Sequence, residues 1–166
     1  MSLTTIEHGT GAAERRWSTR SVAAVFLLAG VLAACTDSRC VVGPERDGRV
    51  RVTAELVDGE VTGRMKYSDH LVGNANVPAL HGGTLGALME STAIFRLLWE
   101  GETVTIPKTI NITVEYLRGA RPQDVFAKAV FTRHGRRVAN VRVYAYQDDP
   151  DKPVAVATAH FLLVQD

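Results

Sequence analysis

The stretch from His81 to Trp99 constrains the fold more than any other part of this 166-residue chain. Two glycines follow His81, and the chain then continues without proline through strong helix formers for about four helical turns. Apolar side chains recur on every face of this predicted helix, so few of its positions suit contact with water. We therefore expect a long helix that other parts of the chain cover nearly all round.

One acid, Glu90, interrupts this apolar surface. The residues one turn away on either side are small or apolar: Gly86, Ala87, Ala93 and Ile94. A lone carboxylate in such surroundings is partly desolvated, and burial of this kind usually signals use in chemistry. The free N–H groups and the dipole at the head of the same helix suit an oxygen atom that gains negative charge. The alternative is that Glu90 reaches solvent through a gap and that the glycines only form a turn.

Alternating segments before and after the helix predict β-strands. Residues 49–57 and 60–67 alternate around Asp58-Gly59, a dipeptide typical of a tight hairpin turn. The helix should end near Gly101, because glycine readily adopts the positive φ of many helix ends. Four further alternating segments follow at 108–118, 125–133, 137–147 and 154–164. Their short connections predict an antiparallel meander.

These elements predict an α+β fold in which one long helix lies across a curved antiparallel sheet of five to six strands. The segment at 68–80 carries turn residues and is expected to be an irregular loop that leads to His81. A single helix covers only part of one sheet face. We therefore expect a second copy of the chain to cover the remainder, which predicts a homo-oligomer.

The N-terminal segment allows two interpretations. An apolar run at 22–34 follows three arginines and ends in Leu-Ala-Ala-Cys, which resembles the cleavage box of a bacterial lipoprotein, so export with lipid on Cys35 is one of them. The run of about 13 apolar residues is too short to span a bilayer. We favour the other, a retained N-terminal helix that is capped by Ser18 or Thr19, continues through residue 35 and belongs to a cytoplasmic protein.

A turn-rich linker at 43–48 follows, so we divide the chain into an N-terminal segment at 1–47 and one main domain at 48–166. Cys35 and Cys40 have no histidine partners at metal-ligand spacing. We expect two free thiols and no metal site.

The charge is uneven along the chain. A formal net charge of +1 argues against a nucleic-acid partner held by bulk charge. Between Lys108 and Arg142, however, basic side chains outnumber acidic ones by eight to two. This excess can hold a polyphosphate ligand such as coenzyme A, and the alternative is that these are the solvated faces of ordinary strands.

Four features occur in a fixed order: His81-Gly82-Gly83, a carboxylate nine residues after that histidine, Tyr116-Leu117-Arg118 followed by Arg121-Pro122, and an alanine- and valine-rich closing strand at 154–159. From Gly48 to the C-terminus the chain thus resembles the hotdog-fold thioesterases, and among them the phenylacetate-pathway type of acyl-CoA thioesterase. The resemblance implies a sheet wrapped around the central helix, two protomers that join their sheets edge to edge, an active site at each dimer interface, and a homodimer or homotetramer.

The same resemblance implies roles for the helix. Glu90 occupies the position of the family's acid, which acts as the nucleophile or as a general base on water; many relatives carry Asp there and some carry Glu. The backbone N–H of Gly83, with Gly82 beside it, is implied to polarise the thioester carbonyl bound by the partner protomer.

Further site residues follow from matching positions. Asn74 corresponds to a loop asparagine near the catalytic water or carbonyl, although Asn76 is close enough to leave the assignment open and Asn74 can equally be a turn residue. Thr109 falls where relatives carry a Ser or Thr that positions the water, or else it merely begins a strand. We expect His81 to fix the loop and cap the helix, with proton transfer as the alternative.

Arg118 and Arg121 are implied to hold coenzyme A phosphates, which the forked guanidinium suits, or they pair with Glu115 and Asp124. The expected activity is hydrolysis of an acyl-CoA to the free acid and coenzyme A, without a metal or organic cofactor. Two alternatives remain open: a hotdog hydratase or dehydratase, and a non-catalytic module that binds acyl groups or acyl-CoA.

Overall fold

The computed structural model describes residues 50–74, 76–103 and 105–163, together with the backbone of two short strands at 33–36 and 39–42. The side chain of Asn74 lies outside this description. In this part of the chain one long helix, α1 (Gly82–Glu100), stands among ten strands: β1 (Ala33–Thr36), β2 (Arg39–Val42), β3 (Val52–Val57), β4 (Glu60–Met65), β5 (Val72–Asn74), β6 (Ala79–Leu80), β7 (Lys108–Tyr116), β8 (Val125–His134), β9 (Val138–Tyr146) and β10 (Ala155–Leu162).

Eight of these strands form one antiparallel sheet in the order β1-β2-β3-β4-β8-β9-β10-β7. The six strands β3-β4-β8-β9-β10-β7 are the longer ones, and α1 packs across one face of them, chiefly on β4, β8 and β9. This is the hotdog arrangement, so the expected fold is confirmed. Strands β5 and β6 pair separately and, with a short 3-10 turn at Asp69–Leu71, give the expected irregular loop some regular structure.

The core lies between α1 and the sheet. Its largest fully buried side chains come from both layers and include Met65, Leu88, Met89, Val143 and Phe161. At β4 the two layers approach so closely that a Cβ atom built on Gly63 would lie 2.0 Å from Thr92 Oγ1. Only glycine fits at that position, and its absent side chain sets how near the helix comes to β4.

The hairpin and the long strands follow the sequence pattern. Asp58 and Gly59 both adopt positive φ, 51° and 79°, as the predicted tight turn requires. The helix ends where expected, but for a different reason. Gly101 has φ −78°, and the positive φ falls on Glu102 instead. A Cβ atom at Gly101 would lie 3.0 Å from the Leu97 carbonyl oxygen, so close approach explains this glycine.

The predicted meander is correct only for β8, β9 and β10. Strand β7 precedes β8 in the chain, yet it pairs with β10 at the far side of the sheet. The eight residues that join β7 to β8 cross from one edge of the sheet to the interior. Alternation within a strand does not carry information about which neighbour the strand pairs with, so the sequence pattern misplaced β7.

The expected N-terminal helix is wrong in its last residues. Ala33–Thr36 form β1 and pair with β2, so a helix does not continue through residue 35. The remainder of the apolar run and the linker at 43–48 lie outside the described residues, as do the side chains of Cys35 and Cys40.

Within the described residues, no helix is both long enough and apolar enough to cross a membrane.

Candidate active site

The Glu90 carboxylate lies where α1 meets the beginning of β7. Its Oε1 atom accepts a hydrogen bond of 2.7 Å from Thr109 Oγ1. Glu90 is half-buried and forms no ion pair with any side chain that the structure describes. One carboxylate oxygen is therefore held in place, and the other is available to a ligand or a water molecule.

A β-bulge aims Thr109 at the helix. In the β7–β10 ladder Asn111 pairs with His160 and Thr109 pairs with Phe161, so Ile110 is an extra residue without a partner on β10. Without this bulge, strict alternation would place Ile110 on the inner face and Thr109 outside. Ile110 is instead 56% exposed, while Thr109 reaches Glu90. Bulges commonly redirect a side chain next to an active site.

The turn that precedes α1 is held by His81. Its Nδ1 atom accepts a hydrogen bond of 3.0 Å from the Gly83 N–H, so His81 is the N-cap of the helix, as expected. Because Nδ1 is the acceptor, a neutral His81 ring carries its proton on Nε2. The Gly83 N–H therefore donates to His81 within the turn. This differs from the expectation that it donates to a substrate carbonyl.

Tyr116, at the other end of β7, contacts the same turn. Its hydroxyl donates a hydrogen bond of 2.9 Å to the Gly82 carbonyl oxygen. A Cβ atom on Gly82 would lie 3.0 Å from the Tyr116 ring, and a Cβ atom on Gly83 would lie 3.1 Å from His81 Nδ1. A side chain at either glycine would therefore crowd Tyr116 or His81. In the sequence Tyr116 stands out only as part of a motif, because the packing of its ring on a glycine leaves no signal there.

Glu90 and Gly82 lie too far apart to act on one carbonyl group within one chain. They are eight residues apart on α1, about 12 Å along the helix axis. Their partners on β7, Thr109 and Tyr116, are seven residues apart, about 20 Å along an extended strand with one bulge. A reacting carbonyl needs both groups at about 3 Å.

The loop asparagine lies beside the same turn. Gly73 is so close to His81 that a Cβ atom on Gly73 would lie 2.9 Å from His81 Cα, and Asn74 follows in β5. The backbone of Asn74 is therefore adjacent to the helix N-terminus. Asn76 is in the exposed turn between β5 and β6.

The two arginines line one cavity of about 310 Å³ together with Asp148, Asp149 and Lys152. Arg121 forms an ion pair with Asp148, not with Asp124 as the alternative had it. Asp124 instead binds Arg64. The Lys152 ammonium and then the Asp151 N–H lower the pKa of Asp149, so this rim remains a mixture of both charges. No ion pair of Arg118 occurs among the described side chains, and Arg118 is exposed.

A larger cavity of about 440 Å³ lies at the C-terminal end of α1. Its lining includes Leu97, Pro107 and Leu163. Leu97 follows Glu90 by seven residues and so shares its helix face, about 10 Å further along the axis. Pro107 precedes Thr109 by two residues, which places this cavity on the same side of the helix as the carboxylate.

Nothing in the described part of the chain resembles a metal centre, since no three His, Cys, Asp or Glu side chains converge there.

Comparison with known proteins agrees with this geometry. A family model described as the acyl-CoA thioesterase N-terminal domain matches residues 73–162. A search of curated proteins found no significant match. Among solved structures, a Chromobacterium violaceum protein is 35% identical over 86% of each chain, with a TM-score of 0.53. A phenylacetic acid degradation-related protein from Ralstonia eutropha JMP134 is 25% identical over 84% of this chain and 89% of its own, with a TM-score of 0.56.

A third structure, a Bacillus halodurans protein solved with CoA, is 21% identical over 66% of this chain and 70% of its own and shares the fold with a TM-score of 0.56. The matched residues contain the His81 turn, Glu90 and the whole of β7. The chain belongs to the acyl-CoA thioesterase family. It is a hydrolase that acts on thioesters.

Proposed function

We propose that the protein hydrolyses an acyl-CoA with Glu90 as the group that delivers the attack on the carbonyl carbon. The observation that carries this proposal is the half-buried Glu90 carboxylate, bound at one oxygen by Thr109 and without a cationic partner among the described residues. A carboxylate in this state accepts a proton or attacks a carbon better than one in an ion pair.

The site is completed by a second copy of the chain. Gly82 and Glu90 of one chain are too distant to act together, and β7 is a nine-residue edge strand. Antiparallel pairing of β7 with its copy would bring the Glu90 end of one chain near the Tyr116 end of the other. The expected dimer thus places Glu90 of one protomer against Gly82 of the other.

Gly82, in preference to Gly83, would polarise the carbonyl group. The Gly82 N–H is at the first position of α1, where helix geometry supplies no acceptor, and no described residue accepts from it. The helix dipole adds partial positive charge at this point. Both effects stabilise the oxygen of the tetrahedral intermediate as it gains negative charge.

The free Glu90 oxygen has two possible tasks. As a general base it takes a proton from water while the water oxygen bonds to the carbonyl carbon; the C–S bond then breaks and coenzyme A leaves as a thiolate. As a nucleophile it bonds to the carbonyl carbon, the C–S bond breaks with release of the coenzyme A thiolate, and water then hydrolyses the mixed anhydride. One turnover in ¹⁸O water followed by a second in ordinary water tests for the anhydride. Water that attacks the Glu90 carbonyl of the anhydride leaves label on Glu90, and only such label can appear in the acid of the second turnover.

Other surfaces have roles in substrate binding. The exposed Arg118 and the neighbouring Lys152 suit the phosphates of coenzyme A, and a related fold was solved with that compound. The cavity beyond Leu97 suits the acyl group, because it continues along the Glu90 face of α1. The resemblance also implies contact of Asn74 with the water or the carbonyl, and the backbone of Asn74 lies beside the His81 turn.

Release of free thiol from short, long and aromatic acyl-CoAs tests the proposal. Glu90→Gln keeps the size of the side chain and removes its charge, and we expect turnover to fall by about a thousand-fold or more. Glu100→Gln is a matched control on the same helix, since Glu100 is an exposed partner of Arg96, and it should leave turnover unchanged.

A Glu90→Gln enzyme that keeps most of its turnover would refute the role of Glu90. A wild-type protein that binds acyl-CoA but releases no thiol would favour the non-catalytic module. The hydratase alternative has less support, because the family model that matches residues 73–162 describes acyl-CoA thioesterases.

A further inference from the structure

Gly82 lies between two peptide groups, and side chains hold both of them. The carbonyl of the preceding peptide, that of His81, accepts hydrogen bonds from the Thr84 N–H at 3.0 Å and from Thr84 Oγ1 at 2.7 Å. In the following peptide, the Gly83 N–H donates to His81 Nδ1 at 3.0 Å, and the Gly82 carbonyl accepts from the Tyr116 hydroxyl at 2.9 Å. These two peptides contain two carbonyl groups and two N–H groups. Of the four, only the Gly82 N–H has no hydrogen-bond partner among the described residues.

Tyr116 restricts this turn in a second way. Its ring occupies the position of a side chain at Gly82, since a Cβ atom there would lie 3.0 Å from two ring atoms. Glycine has a wide choice of backbone conformations, and a turn of two glycines has more freedom still. The ring and the hydroxyl together remove that freedom on one side of the turn, as Thr84 and His81 do on the other.

We propose that Tyr116 is a positioning residue for catalysis: it fixes the Gly82–Gly83 peptide and thereby restricts the φ and ψ angles of Gly82, so that the N–H of the preceding peptide, the Gly82 N–H, points at the substrate carbonyl. This inference rests on the proposed function, in which Gly82 supplies the donor. The donor is most useful when it is already oriented as the oxygen gains charge, because reorientation during the reaction adds to the barrier.

The position of Tyr116 separates this role from a purely structural one. Tyr116 is 55% exposed and is absent from the buried core. Loss of one hydroxyl from an exposed side chain should therefore change the unfolding temperature little. The bond from Gly82 strengthens in the transition state more than in the bound substrate, so its misplacement should lower kcat more than it changes KM.

The test compares Tyr116→Phe with wild type. We expect kcat to fall by about ten-fold, with KM within about two-fold and with an unchanged oligomeric state and unfolding temperature. Tyr144→Phe is the matched control, because Tyr144 is on the outer face of β9 beside Arg142, away from the turn. It should match wild type in every respect.

Amide hydrogen exchange at Gly83 gives a second readout that does not depend on activity. In Tyr116→Phe the Gly83 N–H should exchange several-fold faster, since its peptide has lost one of its two side-chain contacts. A wild-type protein without thioesterase activity would refute the proposed function, and the exchange rate alone would then decide whether Tyr116 holds the turn. A Tyr116→Phe variant with kcat within two-fold of wild type would overturn the inference, and so would a loss of kcat that follows a loss of stability.

Discussion

The two edges of the sheet differ in length and in what they carry. At one edge β3 is covered by β2, and the sheet ends at β1, a strand of four residues. At the other edge β7 presents nine residues, and no described residue pairs with its outer side. Proteins usually protect sheet edges, and a very short terminal strand is one such protection. The first edge is protected in this way and the second is not.

The inner faces of β3 and β7 also differ in what they contact. From β3, Val52 and Ala54 are buried in the core. From β7, Thr109 contacts the carboxylate of Glu90 and Tyr116 contacts the Gly82 turn. The covered side of the sheet therefore provides packing, and the uncovered edge provides the contacts that organise the candidate site. This difference predicts that changes on the β7 side alter turnover, whereas changes on the β3–β4 side alter stability.

Among the changes that test this comparison of the two edges, the largest effect should come from a charge on the open edge. Thr113 is exposed near the middle of β7, and in a symmetric antiparallel dimer such a residue lies close to its own copy. Thr113→Lys opposes two like charges, so we expect kcat/KM at low protein concentration to fall by about a hundred-fold as the dimer dissociates. Sedimentation and thiol release measure both effects. Thr132→Lys, on exposed β8, is the control, and a Thr113→Lys variant that remains a fully active dimer would contradict the assembly.

On the packed side, Gly63→Ala should destabilise the fold by about 2 kcal/mol, because the new methyl group overlaps Thr92 Oγ1 and a tight core tolerates overpacking poorly. Thermal or urea unfolding measures this loss. The double variant Gly63→Ala, Thr92→Ala should recover part of it. Equal stability of Gly63→Ala and wild type would show that α1 moves away from β4 without cost.

Thr109→Val should lower kcat by about ten-fold with little change in the free energy of unfolding, since it keeps the shape of the side chain and removes only the hydrogen bond to Glu90. Steady-state kinetics with a parallel unfolding curve checks this. Thr158→Val, on the outer face of β10, should leave kcat unchanged. A Thr109→Val enzyme with wild-type kcat would mean that Glu90 needs no partner to hold it.

The smallest effect is expected where the two halves of the sheet join, between β4 and β8. Asp124 accepts hydrogen bonds from Arg64 at 2.6 and 3.0 Å and from the Tyr67 N–H at 2.8 Å. Burial opposes ionisation of this carboxyl, but the Tyr67 N–H and the Arg64 guanidinium outweigh it and lower the pKa of Asp124. Asp124→Asn should cost about 1 kcal/mol near neutral pH.

The sign of the pH dependence follows from that lowered pKa. The folded carboxyl stays ionised below the unfolded pKa of about 3.9, so its stabilisation is present above that pH and is lost as the pH falls towards the folded value. Wild type should therefore lose more stability than Asp124→Asn when the pH is lowered from about 5 to 3. An equal loss of unfolding free energy in wild type and Asp124→Asn over this pH range would contradict this account.

The sequence predicts the elements of this fold better than their arrangement. The helix, the turn at Asp58-Gly59 and the cap at His81 depend on local residue preferences, and the structure contains all three. The place of β7 in the sheet depends on its pairing with β10, and the alternating pattern within a strand does not show which strand it pairs with. The helix predicted through residue 35 is wrong at Ala33–Thr36, which form β1, because short apolar segments suit either kind of structure.

Some residues of the candidate site can be predicted from the sequence and others cannot. Glu90 is evident from the sequence because it is the one acid in the apolar stretch from His81 to Trp99. The contact of Tyr116 with Gly82 is not evident from the sequence, since these residues are far apart in the chain. The hydrogen bond from the Gly83 N–H to His81 is not evident either, since it depends on the orientation of the His81 ring. The role of Thr109 follows from the resemblance alone, because strict alternation along β7 predicts that its side chain lies on the outer face.

The bulge at Ile110 also determines where the gene tolerates changes in length. The loop at 101–107 can gain or lose residues, because Thr109 is aligned by its pairing with Phe161 and not by the loop. Removal of the Ile110 codon would leave Thr109 opposite Phe161 and six residues from Tyr116, so strict alternation would still keep both side chains on the inner face. Removal of one codon between Asn111 and Tyr116 would instead put Thr109 and Tyr116 on opposite faces of β7, and one of the two contacts with α1 would be lost.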